Sequence, residues 1–222
     1  MAEANLSGDV CTRLSDRILK WEYPPGYRLT EEELCEQFSV SRSPIREALG
    51  MLVERGLVDK KARQGYTVRR LDLREINELY DVRLVLELSV VERLCRKGLD
   101  GAIIAKLERQ WTQYSDNLPE MSESAAIADE EFHEILARET GNGVLMRLLG
   151  EVDKQIHFVR FADIVNPERL KATCADHLEI LEALRQRDKE RASEALSRNI
   201  EWGRSNVEAA IKDALVRAHL SV

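Results

Sequence analysis

The sequence predicts a mainly α chain: a small amino-terminal unit of short helices closed by a β-hairpin, then an antiparallel bundle of six helices. Three observations lead there. Aromatics are 5% of 222 residues, with 11 Gly and 5 Pro, too few for the many turns of an all-β fold. Leu, Ala, Glu and Arg are abundant, and these residues favour helix. Apolar positions recur at helical spacing along most of the chain, and only the stretch between residues 58 and 69 reads as strands.

The formal charge is −7, from 33 Lys+Arg and 40 Asp+Glu, and it is unevenly spread, +1 over residues 1–70 and −8 over 71–222. Arg55, Lys60, Lys61, Arg63, Arg69 and Arg70 form a local basic run, which can dock a polyanion on an otherwise acidic chain. A solvated charged face is the bland alternative, so motifs must decide. Cys11, Cys35, Cys95 and Cys174 lack CxxC spacing and sit in helical patterns, so buried free thiols in a reducing compartment are expected. Met1 to Val10 shows no basic stretch followed by an apolar run, and no window approaches the ~18 apolar residues of a membrane span. The expectation is a soluble, cytoplasmic protein.

Taking the elements in order, Val10, Leu14, Ile18 and Trp21 define a first helix, stopped by Tyr23-Pro24-Pro25-Gly26. Thr30-Glu31-Glu32-Glu33 reads as a capping box opening a helix that runs to about Phe38. After Ser39-Val40-Ser41-Arg42, Ser43 is expected as N-cap and Pro44 as first helical residue of a helix spanning Ile45 to Arg55. Two short helices joined by a tight turn make a helix-turn-helix, with Arg42, Ser43 and Arg46 at the end that usually reads base edges. Val58 to Lys61, a turn at Ala62 to Gly65, and Tyr66 to Arg69 then form a wing.

These residues closely resemble the DNA-binding domain of the GntR family of bacterial transcription regulators. The resemblance is carried by Tyr23-Pro24-Pro25-Gly26-Tyr27-Arg28-Leu29, by Ser41 through Leu49, and by Leu52 with Gly56-Leu57-Val58. It implies a double-stranded operator as partner, with Arg28, Ser41, Arg42, Ser43 and Arg46 contacting DNA and the wing tip at Arg63, Gln64 and Gly65 entering the minor groove. Some relatives carry a DNA-contacting arginine where this chain has Glu32.

Residues 71–222 read as helices over 72–97, 101–118, 121–140, 142–162, 167–187 and 189–218, broken by Gly98, Pro119, Gly141 to Gly143, Pro167 and Arg187-Asp188. Loops this short make neighbouring helices antiparallel. Several polar residues fall on or beside the apolar stripes: Arg83 with Glu87 one turn on, Asp129 and His133 four residues apart, His177, and Asn199 on a face that includes Trp202. Buried polar groups lacking partners cost about 1–3 kcal/mol each, so those on different helices are expected to meet one another, a metal or a ligand. One Asp and two His suit Zn, Ni or another divalent transition metal.

Asp129-Glu130-Glu131-Phe132-His133, Gly141-Asn142 and Asp176-His177-Leu178-Glu179-Ile180-Leu181 resemble the FCD effector domain of the FadR-type branch. That resemblance implies a metal held by an aspartate and three histidines, beside a small carboxylate effector. Asp129, His133 and His177 occupy three of the four places and Asn199 the fourth, leaving open a weaker site, a different metal, ligation by the effector, or no metal. Arg83 suits bidentate grip of a carboxylate, or else an internal ion pair with Glu87 or Asp129. Glu87, Arg160 and Asn199 complete the expected effector set, with His157 near Arg160 at the pocket wall. The organisation expected is a DNA-binding domain over 1–70 and an effector-binding, dimerising domain over 71–222. The function expected is a homodimeric, ligand-responsive transcription regulator. Two alternatives are a metal-sensing repressor with no organic effector, and a metal-dependent hydrolase using Glu130 or Glu134 as base.

Overall fold

A computed structural model describes residues 2–19, 22–61, 65–70, 72–118, 123–164 and 167–220, apart from the side chains of 2–5, 123, 158, 161–162 and 210–220. The chain divides into two compact units, Met1–Asp72 with Ile211–Val222, and Leu73–Ala210. The mainly α architecture read from the sequence is the one observed, with a three-stranded sheet in the first unit.

In the first unit, α1 (Ala2–Leu19) buries Val10, Cys11, Leu14 and Ile18 and packs on α3 (Arg42–Glu54), whose inner face is Ile45, Ala48, Leu49 and Leu52. The helix begins well before the expected Val10; Trp21, the expected last anchor, lies outside the described residues. Between them α2 (Glu31–Phe38) starts at Thr30, whose hydroxyl accepts from the Glu33 amide at 3.3 Å. The capping box is half formed, because the Glu33 carboxylate accepts instead from Tyr27 Oη at 2.9 Å and Gln37 Nε2 at 3.1 Å. Ser39 closes α2 in the left-handed region at φ 54°, a conformation that turns the chain sharply into α3.

Helix α3 starts at Arg42, two residues before the expected first helical residue, Pro44. Ser41 is its N-cap, without a side-chain cap bond, and Pro44 is the third helical residue. Proline is tolerated there because the first-turn amides have no intrahelical acceptor. The helix ends in a Schellman pattern: Leu57 N donates to Leu52 O and Gly56 N to Val53 O, both at 3.0 Å, with Gly56 at φ 73°. β2 (Val58–Lys61) and β3 (Gly65–Val68) pair antiparallel, and β1 (Arg28–Leu29) adds on the far side of β3. That third strand was not read from the sequence; two residues carry no periodicity.

The second unit comprises α4 (Leu73–Lys97), α5 (Gly101–Asp116), α6 (Glu123–Glu139), α7 (Gly143–Ile164), α8 (Pro167–Gln186) and α9 (Lys189–Leu220), the last continuing past Ala210. The breaks follow their local chemistry. Asp100 Oδ1 caps α5 through the Ala102 amide at 2.7 Å, and Asn142 Oδ1 caps α7 through Val144 and Leu145, each at 3.2 Å. Arg187 adopts φ 59° before Asp188 Oδ1 accepts from the Arg191 amide at 3.0 Å. Helix α4 packs on α6, α7 and α8, and α5 packs on α8, around Leu94, Leu107, Trp111, Phe132, Ile156, Leu181 and Leu184. Trp202 is corrected from the expected inward set: it is 40% exposed, and Gly203 takes the buried position beside it.

Leu49 is fully buried in α3. Leu49→Ala is expected to lower the unfolding free energy by about 2–5 kcal/mol, read from the urea midpoint at unchanged slope.

Candidate functional site

Six buried or half-buried side chains of the second unit close into a ring that joins α4, α6 and α7. Arg83 Nε donates to Glu87 Oε1 at 2.7 Å on α4, and the other Glu87 oxygen pairs with His133 Nδ1 on α6. His133 Nε2 lies 3.9 Å from Asp129 Oδ1. Asp129 Oδ2 accepts from Arg160 Nη2 at 2.8 Å, and Arg160 Nη1 donates to Asp153 at 2.7 Å. Asp153 also lies 3.6 Å from Arg83 Nε, which completes the circuit. Helical spacing makes this arrangement available: Arg83 and Glu87 are one turn apart, as are Asp129 and His133, while Asp153 and Arg160 are two turns apart.

His177 enters from α8. Its ring stacks on Phe132 at 3.8 Å and meets the Trp111 edge at 4.2 Å between centroids, so aromatic walls set its plane. His177 Nε2 points at Asp129 Oδ1, 3.4 Å away. One ligand atom each from Asp129, His133 and His177 lies within 4.8 Å of the others. Asp129 Oδ1, His133 Nε2 and both His177 ring nitrogens are buried and make no hydrogen bond. A carboxylate oxygen and imidazole nitrogens converging in this way are a donor set for a divalent transition metal.

The electrostatics suit that chemistry. Burial holds His177 well below the usual histidine value, so its imidazole is neutral. Burial pushes the Asp129 carboxyl upward, but the positive groups around it, Arg160 foremost among them, together outweigh burial and keep Asp129 ionised far below the usual range. Glu87 is also driven up by burial and overridden, by His133 and Arg83, to about 2. For Arg160, burial opposes the charge and the carboxylates of Asp153 and Asp129 prevail, so it stays protonated.

Beside Asp129 lies a cavity of about 10 Å3 walled by Tyr80, Arg83, Arg160, Asp163, Arg169 and Asn199, room for about one water molecule. Arg169 Nε donates to Asp163 at 2.8 Å and its Nη2 to the Asn199 carbonyl at 3.0 Å. Asn199 is 2% exposed and shares this wall with Asp129. Arg83, expected to grip a ligand, is engaged by Glu87 through Nε, and its buried Nη2 lacks an acceptor. His157 pairs with Glu130 at 2.5 Å, and Glu134 with Arg138 at 2.5 Å on the exposed face of α6. Trp111, Asp153, Asp163 and Arg169 were missed in the sequence. Only Trp111 had a usable signal, as a large aromatic on the inner stripe of α5.

In the first unit, Arg42, Ser43, Arg46, Glu47 and Ser41 are exposed along one side of α3 and its approach, and Arg28 is exposed on β1. Ser43 is not the N-cap expected of it; its hydroxyl turns to Glu47 Oε1 at 3.5 Å. Arg46 Nε pairs with Glu31 of α2. Gly65 opens β3 at φ 84°, while Arg63 and Gln64 lie outside the described residues.

Two outcomes follow from this geometry. Arg160→Ala takes the cation from the buried Asp129 and from the half-buried Asp153 and is expected to cost about 3–5 kcal/mol in urea unfolding, whereas Arg138→Ala, which removes an exposed pair, costs at most about 0.5 kcal/mol. Tyr80 is 2% exposed and burial pushes its phenol up to about 12. The raised value leaves its contribution intact below the unfolded pKa near 10. Between pH 10 and about 12 the unfolded phenol ionises first, so stability falls by up to about 3 kcal/mol. Tyr80→Phe is expected to flatten that limb of the stability–pH curve.

Comparison with known proteins places both units. Residues 6–68 match the family described as bacterial regulatory proteins, gntR family, and residues 78–201 match the FCD domain. The chain is similar to YdhC, an HTH-type transcriptional regulator of Bacillus subtilis (strain 168), with 30% identity over 184 residues, 82% of each chain. It is also similar to the gluconate operon transcriptional repressor of Bacillus licheniformis, 29% identical over 94% of this chain and 87% of that one. Among solved structures, E. coli McbR/YncC shares the fold at a TM-score of 0.69 and 22% identity, over 92% of this chain and 97% of that one. The family and these relatives are regulators, not enzymes, which removes the metal-dependent hydrolase from the alternatives. The chain belongs to the GntR family of bacterial DNA-binding transcription regulators and carries an FCD domain.

Proposed function

We propose that this regulator is a homodimer whose second unit binds a small organic acid beside a divalent metal, and whose first unit reads a partly palindromic operator through α3 and the wing. The supporting observation is the convergence of Asp129 Oδ1, His133 Nε2 and His177 Nε2, all buried and none hydrogen-bonded. Native proteins rarely leave three such atoms together, because each costs about 1–3 kcal/mol of desolvation. Asp129, His133 and His177 would hold the metal, with Asn199 near Asp129. When bound, the metal supplies fixed positive charge.

Charge counting extends the reading to the effector. The ring contains Arg83 and Arg160 against Glu87, Asp129 and Asp153, a net of −1 when its histidine is neutral. A divalent cation turns that to +1, which one carboxylate neutralises. Arg83 Nη2 and Arg160 Nε are buried donors without acceptors, suited to its oxygens. A cavity of about 10 Å3 is too small for an organic acid, so binding requires the walls formed by α4, α6, α7, α8 and α9 to part. An effector that binds the parted form better shifts the population toward it, and that differential affinity is what reaches the reading unit. The Bacillus licheniformis relative is a gluconate operon repressor, which fits a hydroxy-acid effector here. Dimer symmetry would match half-site symmetry in the operator, and action in the cytoplasm follows from that role. The domains proposed are 1–70 for DNA and 71–222 for effector and dimerisation.

Elemental analysis paired with thermal unfolding tests the reading. The expected result is about one metal per chain, lost in His177→Ala, with a higher melting temperature in gluconate or another small acid only when metal is present. Stabilisation by metal with no response to any acid would favour the metal-sensing repressor. No metal and no acid response would refute the proposal.

A further inference from the structure

Glu31, the first residue of α2, occupies a position that bears on how the DNA-reading helix selects sequence. Both its carboxylate oxygens lie on one nitrogen of Arg46, with Nε at 2.9 Å from Oε1 and 2.8 Å from Oε2. The Arg46 side chain is 60% exposed and that of Glu31 26%. A guanidinium offers five N–H donors in a rigid plane. Glu31 engages the Nε–H, and among the described residues Nη1 and Nη2 donate to nothing, so the far end of the fork faces solvent on the outer side of α3.

An acidic group within ion-pair distance is a liability on a surface that meets a polyanion. It cancels part of the charge that would attract phosphate, the sequence-independent part of DNA affinity. What it leaves intact is the planar pair of terminal nitrogens, and in the major groove the acceptor pair matching that spacing is N7 and O6 of guanine. The neighbouring residues allow close approach. Gly50, one turn further along the same side, has open space where a Cβ would lie, and the Ser43 hydroxyl one turn earlier is drawn aside by Glu47.

We propose that Glu31 is a specificity-determining positioning residue: it holds Arg46 by Nε so that Nη1 and Nη2 read a guanine edge rather than a phosphate. The proposal rests on the reading of α3 as the DNA-reading helix. A freed Arg46 swings to the backbone, gaining indiscriminate affinity and losing base choice.

The test uses the full chain. Duplexes are selected from a random-sequence library by the unmodified protein. Fluorescence anisotropy then measures affinity for the selected duplex, for versions in which each G·C pair is changed to A·T, and for an unrelated duplex. The proteins compared are the unmodified chain, Glu31→Gln, Glu31→Asp and Arg46→Ala, matched for melting temperature. One G·C position is expected to carry a penalty of roughly 5- to 150-fold in the unmodified chain, and Arg46→Ala abolishes it. Glu31→Gln shrinks the penalty at that position alone, binds the unrelated duplex more tightly, and steepens the salt dependence there by about 0.9 in log–log slope, the value of one added phosphate contact. Glu31→Asp recovers part of the discrimination. If Glu31→Gln discriminates like the unmodified chain where Arg46→Ala does not, the role of Glu31 is overturned while that of α3 stands. A uniform loss at every position in Glu31→Gln also overturns it, as a structural effect. If Arg46→Ala matches the unmodified chain throughout, the assignment of Arg46 as a reader falls, and the proposal with it.

Discussion

Arg160 sits in the interior of the second unit with carboxylates on two sides, Asp129 on α6 and Asp153 on its own helix. A buried guanidinium is tolerated only when its partners are in place, since an unpaired buried charge costs several kcal/mol. That requirement reaches outward. Asp153 is shared with Arg83, Arg83 fixes Glu87, and Glu87 fixes the ring of His133. The axial positions of α4, α6 and α7 are therefore set by one closed circuit of charge as well as by apolar packing. A sliding helix would break at least two of these contacts together, whereas a purely apolar core would tolerate a small shift.

The same circuit divides the labour of each group that could ligate a metal. Asp129 gives Oδ2 to Arg160 and keeps Oδ1 free; His133 gives Nδ1 to Glu87 and keeps Nε2 free. Each group is thus oriented by its structural half, the arrangement that fixes tautomer and direction for metal-bound histidines. His177 has no such anchor and is placed by the rings of Phe132 and Trp111. Anything that draws on the free halves acts on groups whose other halves hold helices together. A local change at Asp129 therefore becomes a strain between α6 and α7.

Much of this was legible in the sequence. Helix limits in the second unit came within a few residues because Gly, Pro and Asp mark the breaks, and the inward Asp129, His133, His177 and Asn199 stand out against apolar stripes. Less legible was whatever depends on partners distant along the chain. Arg83 is suited equally to a ligand and to Glu87, and the choice is made by Asp153 and His133, which no helical spacing connects to it. Trp202 scored as inward because it is large and apolar. Gly203 fills that turn of α9 against Arg169, Asp163 and Tyr80, and Trp202 lies instead under the Arg169 guanidinium, 5.8 Å from its ring centre. Ser43 looked like a cap because proline follows it; the left-handed Ser39 ends the turn sooner and lets the helix begin at Arg42.

Two arginine–carboxylate pairs in this chain show how depth decides what such a pair can do. Arg160 with Asp129 is almost fully buried, so exchanging partners means first exposing or stranding a charge, a barrier that only another ligand inside the site can lower. Arg46 with Glu31 is largely in water, where the pair contributes about 0–1 kcal/mol and is exchanged freely. A sensor needs the first kind, since a response should require the specific ligand that replaces the lost partner. A reader needs the second, since its arginine must leave solvent for a base edge many times without reorganising the fold. The placement of one pair in the bundle and the other on α3 follows that division.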